Sequence, residues 1–240
     1  MKTTKKDKNA PAATATVVEE QIHISKPNIR PGEVWIKGTA PLVMHKFSQK
    51  AMLMMREKQA AGTTANTKKG NRAAKDFNAL FEGARHRSFE GWDGIPAAAF
   101  RNACIDACRL VNYKMTMAKM SVVVEADGFD DTEGTPLVKI IGGEPRQLES
   151  MVRLATGVCD IAVRPQWLEW GARLRFKYDA DQFTANDVVN LIARAGQQVG
   201  VCEGRPFSKN SNGMGWGTFE VSTKEEVMKL EKKGAKNDAA

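Results

Sequence analysis

The sequence predicts an α+β fold whose strands and helices follow the order βαββαβ, with two long insertions. Three observations lead to this prediction. Apolar residues recur at helical spacing in two segments, short runs of β-favouring residues occur in several others, and a glycine-rich segment precedes the last of these runs. We expect a single domain at 31–223, after a disordered tail at 1–30 and before a charged C-terminal tail at 224–240.

The first half of the chain supplies one strand and two helices. Val34 and Ile36 stand among β-favouring residues, which predicts a strand near 33–40. Helix formers without a breaker predict a short helix near 47–58. The clearest helical pattern covers 96–112 and has a proline in its first turn. The apolar positions on its one face are Phe100, Ala103, Cys104, Ala107, Cys108 and Val111.

The next two segments predict strands on either side of an acidic turn. They are KMSVVVEA at 119–126 and TPLVKIIGG at 135–143, which form either a hairpin or an excursion from the main sheet. Residues 172–178 alternate apolar and basic side chains, a pattern typical of a half-buried strand with one cationic face. That face carries Arg173, Arg175 and Lys177.

A last helix and strand complete the predicted fold. Thr184 with Asp187 three residues later is the signature of a helix N-terminus, and an apolar helical stripe follows it. The glycine-rich segment 194–221 then ends in the strand-like run TFEV. The two insertions in the βαββαβ order fall at about 46–92 and 127–168.

Positive charge is concentrated in the first insertion. Between residues 46 and 90, ten basic residues stand against four acidic ones, so this stretch supplies six of the chain's eight net positive charges. Small and polar residues between Ala60 and Lys75 indicate a surface loop. Such a cluster is the electrostatic pattern of phosphate binding, and a well-solvated surface is the alternative.

The glycine-rich segment predicts a loop that approaches a polyanion. Its six glycines stand among Arg205, Phe207, Lys209 and Trp216. Glycine serves where the main chain adopts positive φ or comes close to a ligand. A plain flexible loop is the alternative.

Several kinds of site are excluded by the pattern. No run reaches the ~18 apolar residues of a membrane span, and the N-terminal lysines are not followed by the apolar core of a signal peptide, so we expect a cytoplasmic location. The glycines lack a following Gly-Lys-Ser/Thr and precede a strand, which excludes mononucleotide and dinucleotide loops. The four cysteines and three histidines show no zinc spacing. We expect no metal, no cofactor and no catalytic residue.

One histidine leaves a choice open. His86 lies between Arg85 and Arg87, where histidine is most often one more polar loop residue. A general acid or base in metal-independent RNA cleavage is the alternative.

Two motifs and the order of elements resemble the RAMP superfamily, the ferredoxin-like RNA-binding proteins of CRISPR effector complexes, and most of all the backbone subunits that line up along guide RNA. Those proteins carry a glycine-rich loop between the second helix and the last strand, where GQQVGVCEGRPFSKNSNGMGWGTFEV stands here. Their first helix opens on an IPGSSLKGALR-like segment. GIPAAAFRNA at 94–103 is similar, with alanines in place of the glycine and serines.

The resemblance covers about 33–45, 92–125 and 170–221 and implies a ferredoxin-like/RRM-like core. It also implies an RNA-binding protein that forms homo-oligomers along the strand, with other effector-complex subunits as further partners. A diverged, phage-encoded relative outside any CRISPR complex fits the same residues, because the serines beside the phosphates are missing.

We therefore expect a sequence-independent binder of single-stranded nucleic acid, RNA by resemblance and DNA as the other possibility. The residues expected at the interface are His45, Lys46, Lys68, Lys69, Arg72, Lys75, Arg85, Arg87, Arg101, Gly204, Arg205, Lys209, Gly213, Gly215, Trp216 and Gly217. Trp92, Phe207 and Trp216 are expected to stack on bases, with core packing as the alternative for Trp216.

Two other functions share these features. A phage recombination protein that anneals complementary DNA strands would carry the same basic loop and form oligomers, but it would accelerate duplex formation. A decoy that mimics a CRISPR subunit would bind the partner proteins without nucleic acid.

Overall fold

In a computed structural model the chain is described over residues 24–47, 49–61, 74–153, 157, 159–209 and 211–237. These residues form helices and antiparallel sheets, which confirms the predicted mixture of the two kinds of element. The strands are β1 (Ile29–Gly38), β2 (Leu42–Val43), β3 (Gly94–Pro96), β4 (Val122–Val124), β5 (Gly128–Phe129), β6 (Pro136–Lys139), β7 (Ile141–Gly142), β8 (Arg146–Arg153), β9 (Cys159–Trp167), β10 (Trp170–Asp179) and β11 (Phe219–Ser222). The helices are α1 (Gln49–Ala61), α2 (Phe77–Gly83), α3 (Ala97–Ala107), α4 (Met115–Ser121), α5 (Ala185–Arg194) and α6 (Lys224–Asn237).

The largest sheet has the strand order β11–β1–β10–β4, and all neighbours are antiparallel. The short strand β7 also pairs with the beginning of β10. Along the chain, α3 lies between β1 and β4, and α5 lies between β10 and β11. The longest register runs from Ile29 opposite Asp179 to Lys37 opposite Gly171. The central pair of strands is thus joined from distant parts of the sequence.

The two faces of this sheet differ as the alternation in β10 predicts. Leu174 and Phe176 are buried among the residues of α3 and α5. Arg173, Arg175 and Lys177 are partly or fully exposed. Successive side chains of a strand point to opposite faces, so these cations lie on the face away from α3 and α5. The predicted half-buried strand with a cationic face is confirmed.

Helix α3 presents its predicted apolar face to the core, except at its end. The Phe100 ring is buried and meets Phe219 of β11 edge-on, with 5.8 Å between centroids. From Cys108 to Val111 the chain continues as a 3₁₀ helix. A 3₁₀ helix has 3.0 residues per turn instead of 3.6. The residues after Cys108 are therefore rotated away from the apolar face of α3. Val111 is 46% exposed, so the buried part of the predicted apolar face ends before it.

The predicted strand 119–126 is shorter in the structure. Residues up to Ser121 belong to helix α4, and only the valine run Val122–Val124 forms β4. Its β-branched side chains favour an extended backbone. β4 pairs with β10, whereas β6 pairs with β3 and β5. The two segments around the acidic turn are therefore not a hairpin, and β6 is an excursion from the main sheet.

Two smaller sheets join strands of the second insertion to β2 and β3, which lie just outside the insertions. β3, β6 and β5 form one, and the hairpin β8–β9 with β2 forms the other. The hairpin pairs Arg146 with Gln166 at one end and Arg153 with Cys159 at the other. In β8 no residue is fully buried, so its sequence lacks the apolar alternation by which a strand is usually found. This explains why the sequence did not indicate the hairpin.

The segment 224–240, expected as a charged tail, begins with helix α6. Val227 and Leu230 are buried against Gly171 of β10, where an added Cβ would lie 2.8 Å from Val227 Cγ1. Gly171 and Arg173 are two positions apart in β10 and therefore point to the same face of the sheet. Helix α6 thus covers one end of the face opposite α3 and α5.

Thr184 caps helix α5 as predicted. The Asp187 N–H donates to Thr184 Oγ1 over 3.2 Å, and the Thr184 N–H donates to Asp187 Oδ2 over 2.9 Å. Replacing Thr184 by Ala is expected to lower the free energy of unfolding by about 1 kcal/mol, because the cap is lost. Urea unfolding followed by circular dichroism measures this. Thr116→Ala, at an exposed position of α4, is the control and should change it by less than about 0.5 kcal/mol. Equal effects of both variants would contradict the role of the cap.

Candidate nucleic-acid interface

The glycine loop, residues 200–217, lies between α5 and β11, as predicted, and is fastened at both ends. The Gly217 N–H donates to the Pro41 carbonyl over 2.8 Å, and the Glu203 N–H donates to the Val43 carbonyl over 3.0 Å. The Trp216 N–H donates to the Gly204 carbonyl over 3.1 Å and closes the loop on itself. The outer part of the loop therefore projects from a fixed base beside β2.

Five glycines of the loop adopt the left-handed backbone region, with φ between 65° and 77°. They are Gly200, Gly204, Gly213, Gly215 and Gly217. At Gly217 an added Cβ would lie only 2.0 Å from the Val201 carbonyl oxygen. At Gly213 and Gly215 no described atom lies within 4 Å of such a Cβ. Gly217 therefore permits close packing at the base, and the other two permit a turn of exposed main chain.

A cavity of about 370 Å³ lies within the loop. Its walls are Cys202, Glu203, Gly204, Arg205, Ser208, Ser211 and Asn212. Arg205 is held by two carbonyl groups, with Nε donating to Phe207 over 3.2 Å and Nη1 donating to Cys202 over 3.0 Å. These two bonds engage two of the five N–H groups of the guanidinium. The Ser211 hydroxyl donates to the Arg205 carbonyl over 2.5 Å and accepts from the Gly213 N–H over 3.2 Å. The loop thus holds one cation in place beside the cavity.

Two further cations and an aromatic ring lie next to residues of this cavity, either in the chain or in space. Phe207 is 43% exposed, and the guanidinium carbon of Arg109 lies 5.6 Å from its ring centroid. Lys209 is exposed on the same loop. The predicted residues Arg205, Phe207 and Lys209 are therefore brought together, and Arg109 joins them from the end of the helical segment after α3.

Trp216 packs within the loop. An added Cβ at Gly204 would lie 2.5 Å from Cε3 of the indole, so the ring lies directly over this glycine. The residue is half-buried. The structure thus favours packing for Trp216, the alternative weighed beside base stacking.

His45 lies beside the same cavity through Glu203. Its Nδ1 is 3.5 Å from Glu203 Oε2 and 3.2 Å from Arg164 Nη2, and Arg164 Nε donates to Glu203 over 2.7 Å. Burial and then the charge of Arg164 lower the pKa of His45, and Glu203 acts in the opposite direction. His45 is therefore mainly neutral at pH 7, and Arg164 is the cation at this place.

Lys46 lies in the interior, in an ion pair with Asp130. Its Nζ donates to both Asp130 oxygens, over 2.7 and 2.9 Å, and to Thr132 Oγ1. His86 Nδ1 lies 2.9 Å from the second oxygen of Asp130. Lys46, His86 and Asp130 are all buried. Lys46 is thus part of a structural cluster rather than a phosphate-binding surface. His86 lies in a loop, as expected, and its ring is a buried partner of Asp130.

Arg85 is buried in a second ion pair. Its Nε and Nη2 donate to the two oxygens of Asp93 over 3.0 and 2.5 Å, and Nη2 also reaches Glu144 over 3.1 Å. Burial opposes the charge of Arg85, but the hydrogen bond and charge of Asp93 hold its pKa above the ordinary value. Arg87 is half exposed and lies 3.4 Å from Glu82. These two predicted residues belong to the first insertion and not to the cavity of the glycine loop.

The remaining predicted cations have structural partners or lie outside the described residues. Arg101 on α3 donates from Nε to the Val122 carbonyl over 3.0 Å and so ties α3 to β4. Lys75 Nζ pairs with Asp160 and donates to the Ile161 carbonyl over 2.9 Å. The structure gives no position for three of the predicted residues, Lys68, Lys69 and Arg72.

Sequence reasoning missed Arg109 and Arg164. Arg109 follows the apolar face of 96–112 at a polar helix position, where an arginine looks like ordinary surface. Arg164 lies in β9, whose strand pattern was not recognised. Neither residue has a local motif, since Arg109 meets Phe207 and Arg164 meets Glu203 only through the fold.

The residues that the structure describes include neither a candidate metal site nor a membrane-spanning helix. No group of three or more His, Cys, Asp or Glu side chains is placed to hold a metal ion. None of the helices described has the length and apolarity needed to cross a membrane.

No protein-family model matches this chain, and a search of curated proteins found no match either.

Proposed function

We propose that this protein binds single-stranded nucleic acid, RNA rather than DNA by its resemblance to RAMP proteins, and that several copies associate along one strand. One observation carries the proposal: the glycine loop lines a cavity with an oriented arginine and Ser208, and exposed Arg109, Phe207 and Lys209 lie next to it. Guanidinium, ammonium and hydroxyl groups donate to phosphate oxygens, and an exposed aromatic ring stacks on a base.

The proposed core is ferredoxin-like, and the chain order of its elements supports this. Reading along the sequence, the elements of the main sheet and its helices are β1, α3, β4, β10, α5 and β11. Numbered by that order, the four strands lie side by side as fourth, first, third and second. This antiparallel arrangement with both helices on one face is the pattern expected of a split βαβ fold.

Self-association is supported by exposed apolar side chains on both insertions. Met52, Leu53 and Met54 of α1 are about half exposed, and Met151 of β8 is 78% exposed. Apolar side chains at projecting positions favour contacts with a neighbouring chain. We place the protein in the cytoplasm, where other effector-complex subunits are further possible partners. Lys68, Lys69 and Arg72 join the proposed interface on sequence grounds alone.

Replacing Lys209 by Ala is expected to weaken binding of a labelled RNA of about 30 nucleotides and to flatten its salt dependence by about 0.7 in the log–log slope, because one phosphate contact is lost. Fluorescence polarisation across a salt series measures both. The control is Lys26→Ala, which removes an exposed lysine that precedes β1 and does not belong to the glycine loop. The matching single-stranded DNA shows which sugar is preferred.

Three outcomes would contradict parts of this proposal. Absence of RNA and DNA binding at low salt would overturn it and favour a protein-binding decoy. Faster pairing of complementary DNA strands would assign the protein to strand annealing. Sedimentation with one protomer on a long oligonucleotide would exclude association along the strand.

A further inference from the structure

A second cavity, here called the outer cleft, lies on the face of the main sheet away from α3 and α5. It has a volume of about 330 Å³, within the size range of small-molecule sites. Its walls are Trp35, Glu90, Trp92, Asp127, Lys139, Ile141, Arg173, Arg175, Met228 and Glu231. Helix α6 bounds it on one side, and the sheet β3–β6–β5 with its preceding loop bounds it on the other.

Two indole rings are fixed in this cleft. Trp35 on β1 stands opposite Arg173 on β10, with its Nε1 donating to Glu33 over 3.1 Å. Trp92 donates from Nε1 to Glu90 over 2.9 Å. Its ring lies on Gly128, where an added Cβ would be 2.7 Å from the indole. Both indole N–H groups thus donate to carboxylates of the protein. Lys224 Nζ lies 5.9 Å from the Trp35 ring centroid, so a cation covers one face of this ring, and the remaining ring surface is apolar.

The charges of the cleft are balanced rather than basic. Lys139, Arg173 and Arg175 stand against Glu90, Asp127 and Glu231. Both arginines face the same carboxylate, since their Nη2 atoms lie 3.5 and 3.1 Å from Asp127 Oδ1. A phosphate-binding channel carries an excess of cations. A planar ring with mixed donors and acceptors fits this cleft better than a phosphate does.

Arg175 contributes an unsatisfied donor. Its Nη2 donates to the Ala126 carbonyl over 2.6 Å, whereas its Nε is buried and has no acceptor among the described residues. A buried N–H without a partner is unfavourable. Arg175 lines the cleft, so a ligand there meets a guanidinium that Ala126 and Asp127 hold in place.

We propose that the outer cleft binds one unstacked nucleobase, with the ring packed against Trp35 and Trp92 and its polar edge on the arginine and carboxylate groups. This deepens the proposed function and rests on it: phosphates are held at the glycine loop, and a base is held on the opposite side of the sheet. Bases unstacked from a single strand are recognised by aromatic rings and by hydrogen bonds to their edges.

Trp35→Leu is expected to weaken binding of a 30-nucleotide RNA about tenfold, because stacking on one aromatic ring is lost. A strand of the same length with abasic sites at every second position keeps all phosphates and loses half of the bases. Trp35→Leu should weaken its binding less than that of intact RNA, whereas Lys209→Ala should weaken both strands equally. Circular dichroism and thermal unfolding verify that each variant is folded, and Arg173→Gln tests the cleft a second time without changing an aromatic residue.

The outcomes separate this inference from the proposed function. If Trp35→Leu and Arg173→Gln bind intact RNA as the native protein does, the inference is overturned and the proposed function stands. If the native protein binds no RNA, the proposed function fails, and the cleft is tested with cytidine monophosphate. Quenching of tryptophan fluorescence that Trp35→Leu abolishes would support a site for a free nucleotide, and absence of quenching would overturn the inference as well.

Discussion

Replacing Asp130 by Asn is expected to lower the free energy of unfolding by about 3–5 kcal/mol, because the buried ammonium of Lys46 then lacks its counter-charge. Asp130 has no exposed surface and accepts hydrogen bonds from Lys46 Nζ and from the N–H groups of Thr132 and Glu133. An amide offers one acceptor oxygen and no charge in the same place. Chemical denaturation measures the change, and Asp131→Asn on the exposed neighbouring residue is the matched control.

The difference in unfolding free energy between the native protein and Asp130→Asn should depend on pH, which gives a second test of the ion pair. The interior desolvates Asp130, yet hydrogen bonds from Lys46, Thr132 and His86 hold its pKa well below the ordinary value. A carboxyl whose folded pKa is depressed contributes stability that is complete above its unfolded pKa of about 3.9 and is lost as the pH falls through lower values. The free energy of unfolding of the native protein should therefore exceed that of Asp130→Asn most at neutral pH. This difference should narrow below about pH 4. A gap that is constant from pH 7 to pH 3 would show that the ion pair is not its cause.

Replacing Gly217 by Ala is expected to lower the free energy of unfolding by about 2–5 kcal/mol. The methyl group would lie 2.0 Å from the Val201 carbonyl oxygen, and φ is 67° at this residue. A left-handed alanine costs about 1–2 kcal/mol, and an overpacked contact adds about 1–3 kcal/mol. Thermal and urea unfolding measure the sum.

Gly215→Ala isolates the contribution of the clash. Gly215 has a similar φ of 77°, but no described atom lies within 4 Å of an added Cβ. This variant should therefore lose only the conformational part, about 1–2 kcal/mol. If both variants lose the same free energy of unfolding, the clash with the Val201 carbonyl does not contribute to the loss in Gly217→Ala.

The elements of the main sheet were predictable because each carries a local signal. The alternation in 172–178, the capping box at Thr184 and the apolar face of α3 arise from residues two to four positions apart. The hairpin β8–β9 and the helical start of 119–126 were missed. β8 buries no residue fully, and α4 is a short helix whose buried residues are only Ala118 and Ser121.

The candidate interface was predictable in its glycines and less so in its cations. Positive φ is a local property that glycine reveals, and the structure places Gly204, Gly213 and Gly217 in that region. Whether a lysine is exposed depends on partners elsewhere in the chain. Lys46 meets a carboxylate 84 positions away, and no local pattern indicates that. The same reason explains why the outer cleft, built from β1, β10, α6 and the residues around β3, has no motif.

The buried pair of Lys46 and Asp130 also joins the two insertions mechanically. Lys46 opens the first insertion, and Asp130 belongs to the second. A conformer in which one insertion moves while the other stays in place must break the hydrogen bonds from Lys46 Nζ to both oxygens of Asp130 and to Thr132. The start of the first insertion and the loop around Asp130 in the second should therefore move together. A ligand that displaces one of them should also shift the other.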